Sequence, residues 1–208
     1  MGYECEHDVR KAIRKELMTR FPTELERRLP QFHRCGRERG AGDSPMWAWE
    51  LAPKLTYFIK LQPFEDKDQF VIEVAWSDEG TFPWRDLAPH PPNPELPKSR
   101  GRLARLWATG KTEDVWAVVP DEPDEVFWQR LAARRRGEKV SLLGPKPPPV
   151  EEALPRVAPL AEDAVQKLID YGLPLFRRVA EQRGINWPLP GDQAARGTAA
   201  GEASAGSS

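Results

Sequence analysis

A chain of 208 residues with 31 Lys and Arg against 32 Asp and Glu, a net charge of -1 and a pI near 6.4 has no overall electrostatic pull toward nucleic acid or anionic lipid. Hydrophobic residues make up 39% of it, and eight Trp with eight Phe offer large areas for burial, so one domain of ordinary size is expected. No stretch reaches the apolar length of a membrane span, and two cysteines form no disulfide framework, which excludes a membrane protein and a disulfide-stapled secreted scaffold.

In chain order, the first residues carry charges throughout and lack the apolar core of a secretory signal. Val9, Ile13, Leu17 and Phe21 then recur every fourth position and predict a helix over His7 to Leu29. Pro22 is expected to break it, with Thr23 capping a second short turn that carries Leu25 and Leu29. Phe32 to Arg37 reads as a short edge strand, Gly40 to Pro45 as a turn, and Met46 to Leu51 as a strand with Trp47, Trp49 and Leu51 on one side. Pro53 marks a kink or bulge before the next strand.

Leu55 to Trp76 is the centre of the chain. Leu55, Tyr57, Ile59 and Leu61 alternate with Thr56, Phe58, Lys60 and Gln62, and Phe70, Ile72, Val74 and Trp76 alternate with Val71, Glu73 and Ala75. Side chains of a strand alternate between faces, so both segments read as half-buried strands of one hairpin, joined by the charged loop Pro63 to Asp68. A one-residue slip would turn either apolar set toward water, so the register is well specified.

Residues 77 to 100 are rich in proline and read as a long insertion, with Phe82, Pro83 and Trp84 available to anchor it on the sheet. Two more strands are expected at Leu103 to Trp107 and Val115 to Val119. Asp124 and Glu125 supply the acidic first turn of a helix in which Val126, Phe127, Arg130 and Leu131 form the buried stripe. Arg134, Arg135, Arg136 and Gly137 end it. Gly144 to Pro149 is a stiff connector, and from Val157 to about Arg183 the helical period returns, interrupted at Gly172-Leu173-Pro174. The domain is expected to span residues 1–186, and residues 187–208 read as a disordered tail. The fold class is α+β: an antiparallel meander of about four to six strands with helices packed on one face.

No catalytic set is legible. The phosphate-binding, dinucleotide, zinc-protease and Gly-x-Ser-x-Gly signatures are missing, and His90 stands alone among prolines. Asp78-Glu79 fits a turn after a strand better than acid-base work. Cys5-x-His7 and His33-x-Cys35 are spaced too tightly for a zinc finger, and the acidic loop at Glu65, Asp66 and Asp68 lacks the glycine and glutamate of a calcium-binding loop. No metal, cofactor or catalytic residue is therefore assigned.

The N-terminal helix, the arginines of Arg34 to Arg39, the hairpin ending at Val71 to Trp76, the phrase Arg102 to Leu106 with Trp116 after it, and Tyr171 to Phe176 together resemble the bacterial domain-of-unknown-function 4304 family. The chain departs from that pattern in its long proline-rich loops and extended C-terminus. The resemblance implies an α+β domain and brings no activity or site residues with it. Bacterial accessory and immunity-type binding proteins share this size and build, which is an analogy of form.

The leading functional expectation is a cytoplasmic, non-enzymatic protein-interaction module with a protein partner and no membrane partner. Tryptophans such as Trp84 and Trp107 would mark its interface if exposed. One alternative is a nucleic-acid-associated protein that uses Arg34, Arg37, Arg39 and Arg134, Arg135 and Arg136 around stacking tryptophans. A second is a hydrolase with dispersed catalytic residues.

Overall fold

The protein was analysed as a computed structural model that describes residues 6–38, 44–64, 68–83, 100–107, 115–118, 124–138 and 148–188. Trp84, His90, Arg39, Cys5, Glu65 and Asp66 lie outside these residues, as do most of the proline-rich insertion, the turn before Ser44 and residues 189–208.

The architecture is α+β. An antiparallel meander runs β1 (His33–Glu38), β2 (Ser44–Ala52), β3 (Leu55–Pro63), β4 (Gln69–Ser77), and β4 then pairs on its far side with both β5 (Arg100–Arg102) and β6 (Trp116–Ala117). The helices are α1 (Glu6–Arg28), α2 (Asp124–Arg135), α3 (Val150–Lys167) and α4 (Leu173–Gln182). Three of them, α1, α3 and α4, bury their apolar stripes in one core with the odd-numbered side chains of β3, Leu55, Tyr57, Ile59 and Leu61.

Several boundaries differ from the expectations, each for a physical reason. Pro22 does not break α1. Leu25 and Leu29 lie on the buried stripe beyond it, and burying each contributes about 2 kcal/mol, which together exceeds the roughly 3 kcal/mol cost of a helical proline. Thr23 therefore caps nothing; its hydroxyl donates to the carbonyl of Thr19 inside the helix. Pro53 is not a kink within a strand but one of the two residues of the β2–β3 turn, with Lys54 at φ 69°.

Leu103 to Leu106 is a 3-10 turn rather than a strand. Consecutive residues Leu103 and Ala104 are both buried, which a strand with one covered face cannot do. The strand expected over Val115 to Val119 is shorter, with two residues in β6. α3 starts at Val150, ahead of the expected Val157, and contains Pro155 and Pro159. Both prolines sit on the exposed side, where water can take up the carbonyls they leave without donors.

Between α3 and α4 the chain makes a single π turn, Leu168–Gly172, in which the Leu173 amide donates to the Leu168 carbonyl. Pro174 follows and has no amide to donate, so the wider turn places the missing hydrogen bond where one would be lost anyway. Packing is close at Gly172: a Cβ would stand 3.3 Å from Leu168 and 3.4 Å from Leu103.

At the far end of the core, the Tyr57 hydroxyl donates to the Phe176 carbonyl at 2.7 Å, and the two rings stack at 4.4 Å. Trp187, where the tail was expected to begin, packs edge-on against Trp49 at 5.2 Å and so extends the packed chain.

The second face of the sheet is the main surprise. β3 was expected to be half-buried, yet Thr56, Phe58 and Lys60 are buried as well. Phe58 joins Met46, Ala75 and Phe82 in a smaller apolar cluster, with Phe82 edge-on to Phe58 at 5.7 Å as an anchor. Beside it Lys60 Nζ stands 3.1 Å from the Glu73 carboxylate, and Arg100 Nη2 donates to both Glu73 oxygens at 3.0 and 2.9 Å. Lys60 and Glu73 are direct cross-strand partners. Buried charges persist only when paired, and this pairing is why a polar-looking strand face can be covered.

Two outcomes follow for solution experiments. Glu73→Ala removes the carboxylate shared by buried Lys60 and half-buried Arg100 and lowers the unfolding free energy by about 3–5 kcal/mol in urea titrations. Burial holds the Tyr57 hydroxyl above the ordinary phenol range, against a smaller lowering effect of Arg183. Its contribution to stability is therefore complete below pH ~10 and declines as pH rises past that value. Tyr57→Phe, destabilising at pH 8, should be less so at pH 11; an unchanged gap would show that Tyr57 titrates normally.

Candidate interaction surface

Helix α2 is the least integrated element. Among the described residues it packs extensively on no other element, and Ala133 is buried. Its C-terminus is nonetheless well made. Gly137, at φ 88°, donates to the Arg134 carbonyl, and the Glu138 amide donates back to the Ala133 carbonyl. This paired pattern with glycine in the left-handed position is a Schellman stop. The arginines foreseen at the end are there: Arg134 and Arg135 lie in the last turn, beside carbonyls whose partial negative charge they complement. Arg136 lies just beyond and donates to Glu138 at 2.9 Å, with both side chains exposed, a pairing worth little to stability.

Trp128 is 60% exposed, the one large hydrophobic side chain so exposed among the described residues. On a helix, residues four, seven and eight positions further on share its face. Those are Ala132, Arg135 and Arg136, all exposed. Val126, Arg130 and Ala133 form the inward side, with Val126 and Arg130 half-buried. The result is an indole beside a small residue, followed by two guanidinium groups. Such a surface can seat an apolar side chain between the ring and Ala132 while the arginines meet carboxylates or phosphates.

The other expected site residues are placed differently. Trp107 is half-buried rather than displayed: its ring meets Trp116 at 6.0 Å and Tyr171 at 5.0 Å, with Lys167 Nζ 5.6 Å above it. It closes the core beside the 3-10 turn. Arg34 is exposed on β1, and Arg37 lies on the same strand opposite Pro45. β1 is at the opposite end of the sheet from β5 and β6, and among the described residues it makes no extensive contact with α2. Trp84 and Arg39 lie outside the described residues.

Asp78 and Glu79 are exposed at the end of β4; Arg183 pairs with Asp78 at 3.0 Å and lies 4.3 Å above the Trp76 ring, which gives Asp78 a structural partner. Cys35 is exposed on β1, and partial burial of its sulfur pushes the thiol pKa up, away from nucleophilic thiolate. Among the described residues no three His, Cys, Asp or Glu side chains are grouped to hold a metal ion, and no helix is long and apolar enough to cross a membrane.

Comparison with known proteins adds no guide to function: no protein-family model, curated protein or solved structure matches the chain.

Trp128 is not among the residues that the apolar stripe of α2 singles out in the sequence. The signal was present, since a tryptophan two positions from Val126 and Arg130 falls off that stripe. The two tryptophans should separate cleanly in urea unfolding. Trp128→Ala changes stability by less than about 1 kcal/mol, as an exposed substitution does. Trp107→Ala costs about 3 kcal/mol through the cavity it leaves.

Proposed function

We propose that this protein is a protein-interaction module, of accessory or immunity type and acting in the cytoplasm, that docks an acidic partner surface through α2. The observation that carries the reading is the exposed Trp128 on the same helical face as Arg135 and Arg136. Tryptophan and arginine are the residues most enriched at energetic centres of interfaces, because one supplies apolar area and the other a rigid fork of donors. Helix α2 also has little to lose structurally from engaging a partner, since its packing within the chain is slight. Kinship with the domain-of-unknown-function 4304 family is proposed on the same footing and adds no activity to the reading.

A nucleic-acid partner would use the same two residue types, with the indole as a stacking platform and the arginines on phosphates. The experiment that separates them is capture of partners by the full-length chain, with and without nuclease, beside Trp128→Ala and the double variant Arg135→Glu/Arg136→Glu. A stoichiometric protein retained after nuclease and lost with both variants supports the module. Trp128→Ala should weaken that complex by about 2 kcal/mol, roughly 30-fold in Kd. Recovery abolished by nuclease, or a partner retained by both variants, overturns it.

A further inference from the structure

Helix α3 carries an exposed stripe that matches the stripe of α2 position by position. Its buried side, with Val157, Ala161 and Ala164, belongs to the core. On the opposite side lie Glu152, Pro155 and Pro159, all exposed. Steps of three and four residues place them along one line, with Glu151 beside Glu152 in the same first turn. Arg156 borders the line further on, so its negative charge is concentrated at the end that carries the two glutamates.

The two prolines give this stripe a second property. Having no amide hydrogen, Pro155 and Pro159 remove the helical bonds that the carbonyls of Glu151 and Pro155 would accept. Exposed acceptors beside two flat apolar rings suit a partner that brings an aromatic ring together with N–H donors. The α2 stripe has that composition. Trp128, Ala132 and Arg135 are spaced four and three residues apart, which is the spacing of Pro159, Pro155 and Glu152 read backwards. Each stripe thus covers seven residues, about 10 Å of helix.

Within one chain the two stripes are not joined: among the described residues α2 makes no extensive contact with α3. We propose that the partner docked by α2 is a second copy of this chain, whose α3 lies antiparallel to it. Trp128 then falls on Pro159, the small side chain of Ala132 leaves room for Pro155, and Arg135 meets Glu152. An antiparallel pair also sets opposite ends of the two helix dipoles side by side. The inference rests on α2 being the docking surface proposed above, and it names the occupant of that surface. Each copy carries one donor and one acceptor stripe, so the contact is heterologous and closes only if the second α2 returns to the first α3.

The test is sedimentation of the full-length chain from about 10 µM to about 1 mM at physiological ionic strength. The weight-average mass is expected to rise with concentration, with a Kd on the order of 100 µM. Arg135→Glu and Glu152→Arg, both at exposed positions and each checked by its thermal transition, should each weaken association about tenfold or more, because like charges then face each other. Mixed one to one, the two variants should associate again, since each reversed stripe finds one of opposite sign on the other chain. Trp128→Ala should weaken association by a similar factor. If Glu152→Arg does not fold, Glu152→Gln must still weaken association several-fold. A wild-type chain that stays monomeric, association indifferent to these substitutions, or a mixture that recovers nothing overturns the second copy as partner. Capture of a different protein through Trp128 and Arg135 would leave the docking role of α2 standing, so the two conclusions fail separately.

Discussion

The pairing of Lys60 with Glu73 is the constraint on which the sheet depends. Two ionised groups in the middle of adjacent strands, each almost fully removed from solvent, tolerate no other alignment of β3 and β4. Shifting either strand by one residue would separate them, and would also turn Tyr57, Ile59 and Leu61 away from the helices. Arg100 then brings β5 into the same arrangement by reaching diagonally across to both oxygens of Glu73. Its guanidinium lies 5.1 Å from the Phe82 ring, so the chain leaving β4 is held near the charges it helps to cover. Paired charges of this kind contribute more to choosing one structure than to its net stability.

What was readable from the residues follows from periodicity. β2, β3 and β4 announce themselves because side chains alternate with period two and one face is plainly apolar. The stripe of α1 is equally plain, from Val9 to Leu29. Periodicity fails where burial is achieved by pairing instead of by apolar character. Lys60 and Glu73 look like solvent-facing residues until Arg100, from beyond the proline-rich stretch, is placed beside them. It fails again where tertiary burial outweighs a local rule, as when Pro22 remains inside α1 and Pro155 and Pro159 inside α3. Leu103 and Ala104 were read as a strand from composition, but their adjacent burial needed knowledge of Gly172, some seventy residues away in sequence.

The functional surfaces show the same division. Arg134 to Arg136 are local, and their place at the end of a helix follows from Gly137 and from the acidic start of α2. The exposure of Trp128 follows from a helical wheel once the inward residues are known. Trp107 shows the limit of counting tryptophans as candidate contacts, since Trp116 and Tyr171 occupy its faces. A cleft beside the start of α1 was not legible at all. Its cations belong to a helix that reads as an ordinary charged face, and the carboxylate and aromatic lining come from the β3–β4 hairpin. Only the folded chain sets Arg10 against Asp68.

The π turn at Leu168–Gly172 has a further consequence, which concerns rotational phase. Along the sequence, Val157, Ala161, Ala164, Leu168, Gly172, Leu175, Phe176 and Val179 form one uninterrupted stripe at ordinary helical spacing. Wound on a uniform α-helix, that stripe would keep facing a single neighbour. A turn that takes in an extra residue retards the winding, and the same spacing emerges on a different bearing. α3 can thus address α1, where Arg28 donates to Gln166, while α4 turns Phe176 onto Tyr57. One repeating pattern serves two partners because the helix changes pitch between them.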